Sequence, residues 1–90
     1  MKQVEIIVKG RVQGVGFRYF IQEKAIKLNL KGWIKNEDYD KVCIIAEGSE
    51  DSIKELINLS RKGPSLATVF DTDINYLEAT EEFSDFTIRY

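Results

Sequence analysis

Gly10-Arg11-Val12-Gln13-Gly14-Val15-Gly16-Phe17-Arg18 is the stretch whose residue types point most directly to chemistry. Gly14 and Gly16 stand one residue apart, just ahead of an apolar period that opens a helix. Glycine lets successive backbone N–H groups turn inward and lets an anion come close. Inward N–H groups form a nest, and a helix N-terminus adds partial positive charge. A phosphate fits such a site without a metal. Arg18 falls in the first helical turn, where its guanidinium can fork back over the loop and bond two phosphate oxygens. The bland alternatives stand beside this reading. A Gly-x-Gly between strand and helix also suits a plain tight turn, and an arginine early in a helix is commonly just solvated.

What the chain lacks narrows the chemistry further. There is no histidine, and Cys43 is the one cysteine among 90 residues. That removes histidine bases, histidine metal ligands, an intrachain disulfide and a cysteine zinc site. Glu37, Asp38 and Asp40 could suggest magnesium, but a solvated acidic turn is the simpler reading, and its charge would oppose a phosphate. We therefore expect no metal site and no cofactor. The net charge is −2, with a pI near 5.1. A nucleic-acid partner needs a basic face, which this balance argues against. Positive potential must then be local; Lys9, Arg11 and Lys35 either contribute to it or are ordinary solvated side chains. The apolar runs are too short for a membrane helix. The N-terminus passes from Met1-Lys2 into an alternating pattern with no signal-peptide core, so a cytoplasmic location is expected.

The positioning elements follow from periodicity. In residues 3–9, Val4, Ile6 and Val8 alternate with Gln3, Glu5, Ile7 and Lys9, the pattern of a half-buried strand. Phe17, Phe20, Ile21, Ala25 and Leu28 recur at helical spacing. Gly32 opens a second strand, Trp33-Ile34-Lys35, and residues 36–40 are expected to form the turn. There Asn36 reads first as a turn former. Val42 to Glu47 completes a hairpin. Ser49 is a predicted N-cap, followed by Glu50 and Asp51 in the first turn and an inner stripe of Ile53, Leu56, Ile57 and Ser60. Gly63-Pro64 stops that helix. Thr68 to Leu77 is a fourth strand, with Phe70, Thr72, Ile74 and Tyr76 on one face, and residues 83–90 contain a short last one. The order predicts an α+β fold: a ferredoxin-like βαββαβ sandwich with a short extra C-terminal strand, a mostly antiparallel sheet and both helices on one face. Residues 1–90 are expected to form a single domain.

The nine-residue loop resembles the signature of the acylphosphatase family. Gly32-Trp33-Ile34-Lys35-Asn36 is similar to that family's second motif, and Phe86-Thr87-Ile88-Arg89-Tyr90 to its usual ending, so the resemblance spans essentially the whole chain. It implies a metal-free enzyme that hydrolyses carboxyl-phosphate mixed anhydrides to a carboxylate and inorganic phosphate. It further implies that the phosphate is held by Gln13, Gly14, Val15, Gly16 and Phe17 through the loop backbone and by Arg18, with Asn36 orienting the attacking water. The implied partner is a small-molecule acyl phosphate, and the expected state is a monomer. The chemistry suits the composition. A carboxylate leaves with little protonation, and phosphoryl transfer is served mainly by positioning and electrostatics. An alternative is a non-catalytic module of the same fold that holds an acyl or carbamoyl phosphate. Three positions depart from the common pattern. Asp40 stands where the turn often has glycine, Thr68 where a basic residue is frequent, and Gly16 where some members carry cysteine.

Overall fold

Val4, Ile6 and Val8 are fully buried while their neighbours in sequence turn the other way, so alternation alone commits residues 2–11 to a strand with one inward face. The computed structural model describes residues 1–90. It contains β1 (Lys2–Arg11), α1 (Phe17–Lys27), β2 (Lys31–Glu37), β3 (Lys41–Gly48), α2 (Glu50–Lys62), β4 (Thr68–Leu77) and β5 (Phe86–Arg89). The five strands form one sheet in the order β4-β1-β3-β2-β5. Every pairing is antiparallel except β2 with β5, which is parallel. Val4, Ile6, Val8, Ile34, Val42, Ile44, Ala46 and Phe86 from the strands share one buried cluster with Phe17, Ile21, Ala25, Ile53, Leu56 and Ile57 from the helices. Both helices therefore cover the same face. The fold is the expected α+β ferredoxin-like sandwich with an added last strand.

α2 is built as its sequence dictates. Ser49 Oγ accepts from Ser52 N at 3.2 Å, acidic residues fill the first turn, and Arg61 and Lys62 the last. Its buried residues are Ile53, Leu56, Ile57 and Ser60, the predicted stripe. Ser60 is tolerated inside because its hydroxyl donates to Leu56 O at 2.7 Å.

Three local expectations need correction. β2 runs on through Asn36 and Glu37, which pair with Val42 and Lys41, so the turn is only residues 38–40. The left-handed residue in that turn is Asp38 (φ 50°), not Asp40. Aspartate is among the residues that adopt this conformation more readily, so the absent glycine at 40 costs the turn nothing. Finally, Phe70 does not share a face with Thr72 and Ile74. The β1–β4 register slips between Lys9 and Gly10, where Asp71 and then Val69 become the partners. This bulge turns Val69 toward the core and leaves Phe70 exposed.

At the opposite end of the sheet, Glu47 is buried and ties down the segment between β4 and β5. Its carboxylate accepts from Gln3 Nε2 (2.6 Å), Thr80 N (2.6 Å), Thr80 Oγ1 (2.9 Å) and Glu81 N (3.0 Å). Burial alone would raise its pKa, but these hydrogen bonds to the charged form prevail and hold it below the ordinary carboxylate value.

Candidate active site

The loop between β1 and α1 is anchored at both ends by apolar side chains. Val12 and Phe17 are each 1% exposed. Between them Gly14 (φ 72°) and Gly16 (φ 79°) both take the left-handed conformation. A Cβ at either would meet no neighbouring atom. The backbone conformation, rather than crowding, is thus what asks for glycine there. Gly16 is also the N-cap of α1, so no side chain caps the helix, and its first turn holds no acidic residue.

The consequence is a run of free donors. No backbone N–H from Gln13 to Tyr19 donates to a backbone carbonyl; the first helical bond is Phe20 N to Gly16 O, at 3.0 Å. Helix N-termini ordinarily satisfy such groups with a side chain, with water or with an anion. Here the left-handed glycines continue the row of donors back from the helix into the loop, as in an anion nest.

Arg18, in the first turn, makes no ion pair within the protein. Its guanidinium carbon lies 4.8 Å from the centre of the Tyr90 ring, a cation–π contact. The Tyr90 phenol is pushed above its ordinary pKa, first by the neighbouring Tyr19 phenol and then by desolvation; Arg18 opposes the shift.

Asn36 reaches the site from β2. It lies two residues beyond the buried Ile34, so its side chain faces the helix layer. Its Oδ1 is enclosed, and no protein donor reaches it. Val12, Gly14, Gly16, Phe17, Arg18, Tyr19 and Asn36 together line a depression of about 220 Å³. Larger surface grooves exist, of about 370 Å³ beside Lys54 and Arg61 and about 620 Å³ beside Met1 and Glu78, but the free donors, Arg18 and Asn36 come together only at the small one.

Of the residues expected at the site, Gly14, Gly16, Phe17, Arg18 and Asn36 line the depression, while Gln13 and Val15 do not. The Gln13 side chain turns away to the β2–β3 hairpin. Its Nε2 donates toward Glu37 O (3.2 Å), Asp38 O (2.9 Å) and Lys41 O (3.0 Å). Gly10 N adds a bond to Asp40 O at 2.9 Å. The loop is thereby clamped to the hairpin that carries Asn36. Lys9 and Lys35 point to the helix-free face, Lys35 against Trp33, and do not line the depression. No group of three or more Cys, Asp or Glu side chains is arranged to hold a metal, and the acidic turn is solvated, with Asp38 paired to Lys41 at 3.5 Å. Tyr19 and Tyr90 were not expected here. An exposed tyrosine directly after Arg18, off the apolar stripe of α1, was the available signal.

The sequence profile of the acylphosphatase family matches residues 4–88. An acylphosphatase of Caldivirga maquilingensis is 44% identical over 98% of this chain and 94% of its own length. The crystal structure of the Bacillus subtilis acylphosphatase superposes with a TM-score of 0.95 at 42% identity, covering 100% of both chains. Full-length HypF, crystallised in a phosphate- and nucleotide-bound form, contains a segment that matches 99% of this chain with a TM-score of 0.90 at 34% identity, over 12% of the HypF chain. No helix of the chain is long and apolar enough to cross a membrane.

Proposed function

The chain belongs to the acylphosphatase family, hydrolases that split acyl phosphates into a carboxylate and inorganic phosphate, and from that premise we propose how its own residues carry the reaction. The phosphoryl group sits on the N–H nest of residues 13–17, with the Arg18 guanidinium over its oxygens. Asn36 Oδ1 accepts a hydrogen bond from the attacking water and fixes its direction. The water oxygen bonds to phosphorus as the bond from phosphorus to the acyl oxygen breaks. The electron pair leaves on the carboxylate, which is stable without a proton. The proton shed by the water passes to a phosphate oxygen, so no side chain acts as a base. Charge in the loose transition state is spread over the equatorial oxygens, which is where the nest and Arg18 donate.

The orphan Oδ1 of Asn36 is the observation that carries the hydrolytic reading. An enclosed acceptor without a donor is costly unless something supplies one. A module that only gripped phosphate would have no use for it. The binding-module reading draws on the HypF match, in which a similar unit is a small part of a larger chain. The same proposal takes residues 1–90 as one catalytic domain, since a single buried cluster runs from Val4 to Phe86. It also takes the enzyme as monomeric and cytoplasmic.

Phosphate release from acetyl phosphate in the presence of a chelator tests the assignment. Wild type should turn over. Arg18→Ala should lose at least the ~10²–10³-fold typical of one lost oxyanion donor. Asn36→Ala should still be inhibited by inorganic phosphate while barely turning over. Undiminished turnover in either variant would sink the residue roles, and absence of turnover in wild type would favour the binding module.

A further inference from the structure

β4 is an edge of the sheet with β1 as its one neighbour, so half of the backbone N–H and C=O groups along its ten residues point away from the sheet. The opposite edge, β5, has only four residues. A long edge is commonly blunted by a proline, a lysine, a bulge or a covering loop. Here the bulge lies at the start of β4, and Thr72 N is taken by Asp71 Oδ1 at 3.0 Å. The run from Asp73 to Leu77 holds neither proline nor lysine. Charge guards it instead, with opposite sign on its two faces.

Thr72, Ile74 and Tyr76 pair with the buried Val8, Ile6 and Val4, so they share the helix side, while Asp71, Asp73 and Asn75 take the open side. On the helix side a groove of about 370 Å³ lies between β4 and α2, lined by Ile57, Ile74 and Tyr76 together with Lys54 and Arg61. Arg61, Asp71 and Asp73 are in no ion pair, so their charges are unspent; Lys54 shares its own with Glu50 at 3.5 Å. A second copy paired antiparallel on this edge would gather carboxylates on one face and cations on the other, which opposes self-pairing. The same charges select a different occupant. We propose that the β4 edge takes up an extended peptide of another protein as an added strand, with acidic residues flanking an apolar one on its helix side and basic residues at the alternate positions. Main-chain bonds to the edge supply affinity, and the alternating side chains supply specificity. The apolar residue enters the groove, the acidic ones meet Arg61 and Lys54, and the basic ones meet Asp71 and Asp73.

The probe is a capped, fluorescently labelled heptapeptide, Thr-Glu-Lys-Leu-Lys-Glu-Thr, and the control is Thr-Lys-Glu-Leu-Glu-Lys-Thr. The two have the same composition and net charge, and the symmetrical order makes strand direction immaterial. With its leucine in the groove, the control sets lysine against Arg61 and Lys54, and glutamate against the aspartates. Fluorescence anisotropy should show the probe binding about three- to tenfold more tightly than the control, the worth of a few exposed charge pairs. High salt should shrink that preference. Backbone amide shifts on binding should centre on residues 73–77. In Lys54→Glu/Arg61→Glu the preference should vanish, while acetyl phosphate turnover stays at the wild-type rate, since neither residue lines the phosphate depression. Equal binding of the two peptides, no binding at millimolar peptide, or shifts centred away from β4 would overturn the proposal. A dimer in sedimentation whose amide shifts fall on β4 would show that a second copy takes the edge, and would overturn it as well.

Discussion

Replacing Gln13 by alanine removes a side chain that touches no reacting atom in the proposed mechanism, yet it should slow the reaction. The carboxamide reaches three carbonyls, at 2.9, 3.0 and 3.2 Å. An amide nitrogen carries two hydrogens, so about two full bonds are made at once. Each contributes about 1 kcal/mol net, and the exposed one to Asp38 is readily replaced by water, so the loss should be about 1–2 kcal/mol. For a chain of this size that lowers Tm by about 4–15 °C. The catalytic effect has a separate origin. The clamp sets the distance between the phosphate loop and the hairpin that holds Asn36, and a shift of about 1 Å between reacting partners can cost ~10²-fold. Gln13→Ala should therefore lose about 10- to 100-fold in kcat. Its inhibition by inorganic phosphate should change little, because the nest is backbone and remains. Gln13→Asn is one methylene too short to reach and should not rescue. Wild-type kcat alongside a lowered Tm would refute the coupling and leave Gln13 a structural residue only. Phosphate affinity falling in step with kcat would show instead that the loop itself collapses.

Glu47 holds its proton less tightly in the folded chain than the ordinary value of 4.5, so its stabilisation is complete above about that pH and is lost as pH falls through the folded value. Thermal melts of wild type between pH 7 and pH 3 should fall more steeply than those of Glu47→Gln, which should start lower at neutral pH; parallel curves would contradict the assignment. Gly16→Ala forces a Cβ into left-handed backbone at φ 79°, at a cost of about 1–2 kcal/mol, and should weaken phosphate inhibition, whereas wild-type affinity would show that the nest does not need this conformation. Ser49→Ala removes the α2 cap and should lower stability by about 1 kcal/mol in a denaturant titration without altering KM, since α2 lies apart from the site.

What the sequence made legible divides along physical lines. The α2 stripe was readable because its apolar spacing, cap and stop signals all agree. Gly14, Gly16 and Arg18 were readable because the nest is local: its residues are consecutive and its conformation is written in glycine. The β2 boundary was not, because Asn36 and Glu37 have turn-like propensities and are held in the strand only by pairing with β3. Phe70 was misplaced because a bulge is a property of two strands in register, and one strand's alternation cannot announce it. Gln13 and Glu47 look like surface polar residues in sequence. Their partners lie 24 to 44 positions away, and no local pattern encodes such a distance.

The strand order has a consequence for how the enzyme comes to exist. β1 lies inside the sheet, between β3 and β4, so it must wait for strands that follow it much later in the chain; Glu5 is joined to Asn75 across 70 positions. Loop closure over such spans costs entropy before any contact repays it, which places topologies of this kind toward the slow end of folding rates. The phosphate loop therefore leaves the ribosome well before β3 and β4, the strands that hold β1 in place, and is shaped only once they follow. During that interval β1 presents Val4, Ile6 and Val8 as an unpaired apolar strand, the kind of segment on which chaperones and aggregation compete.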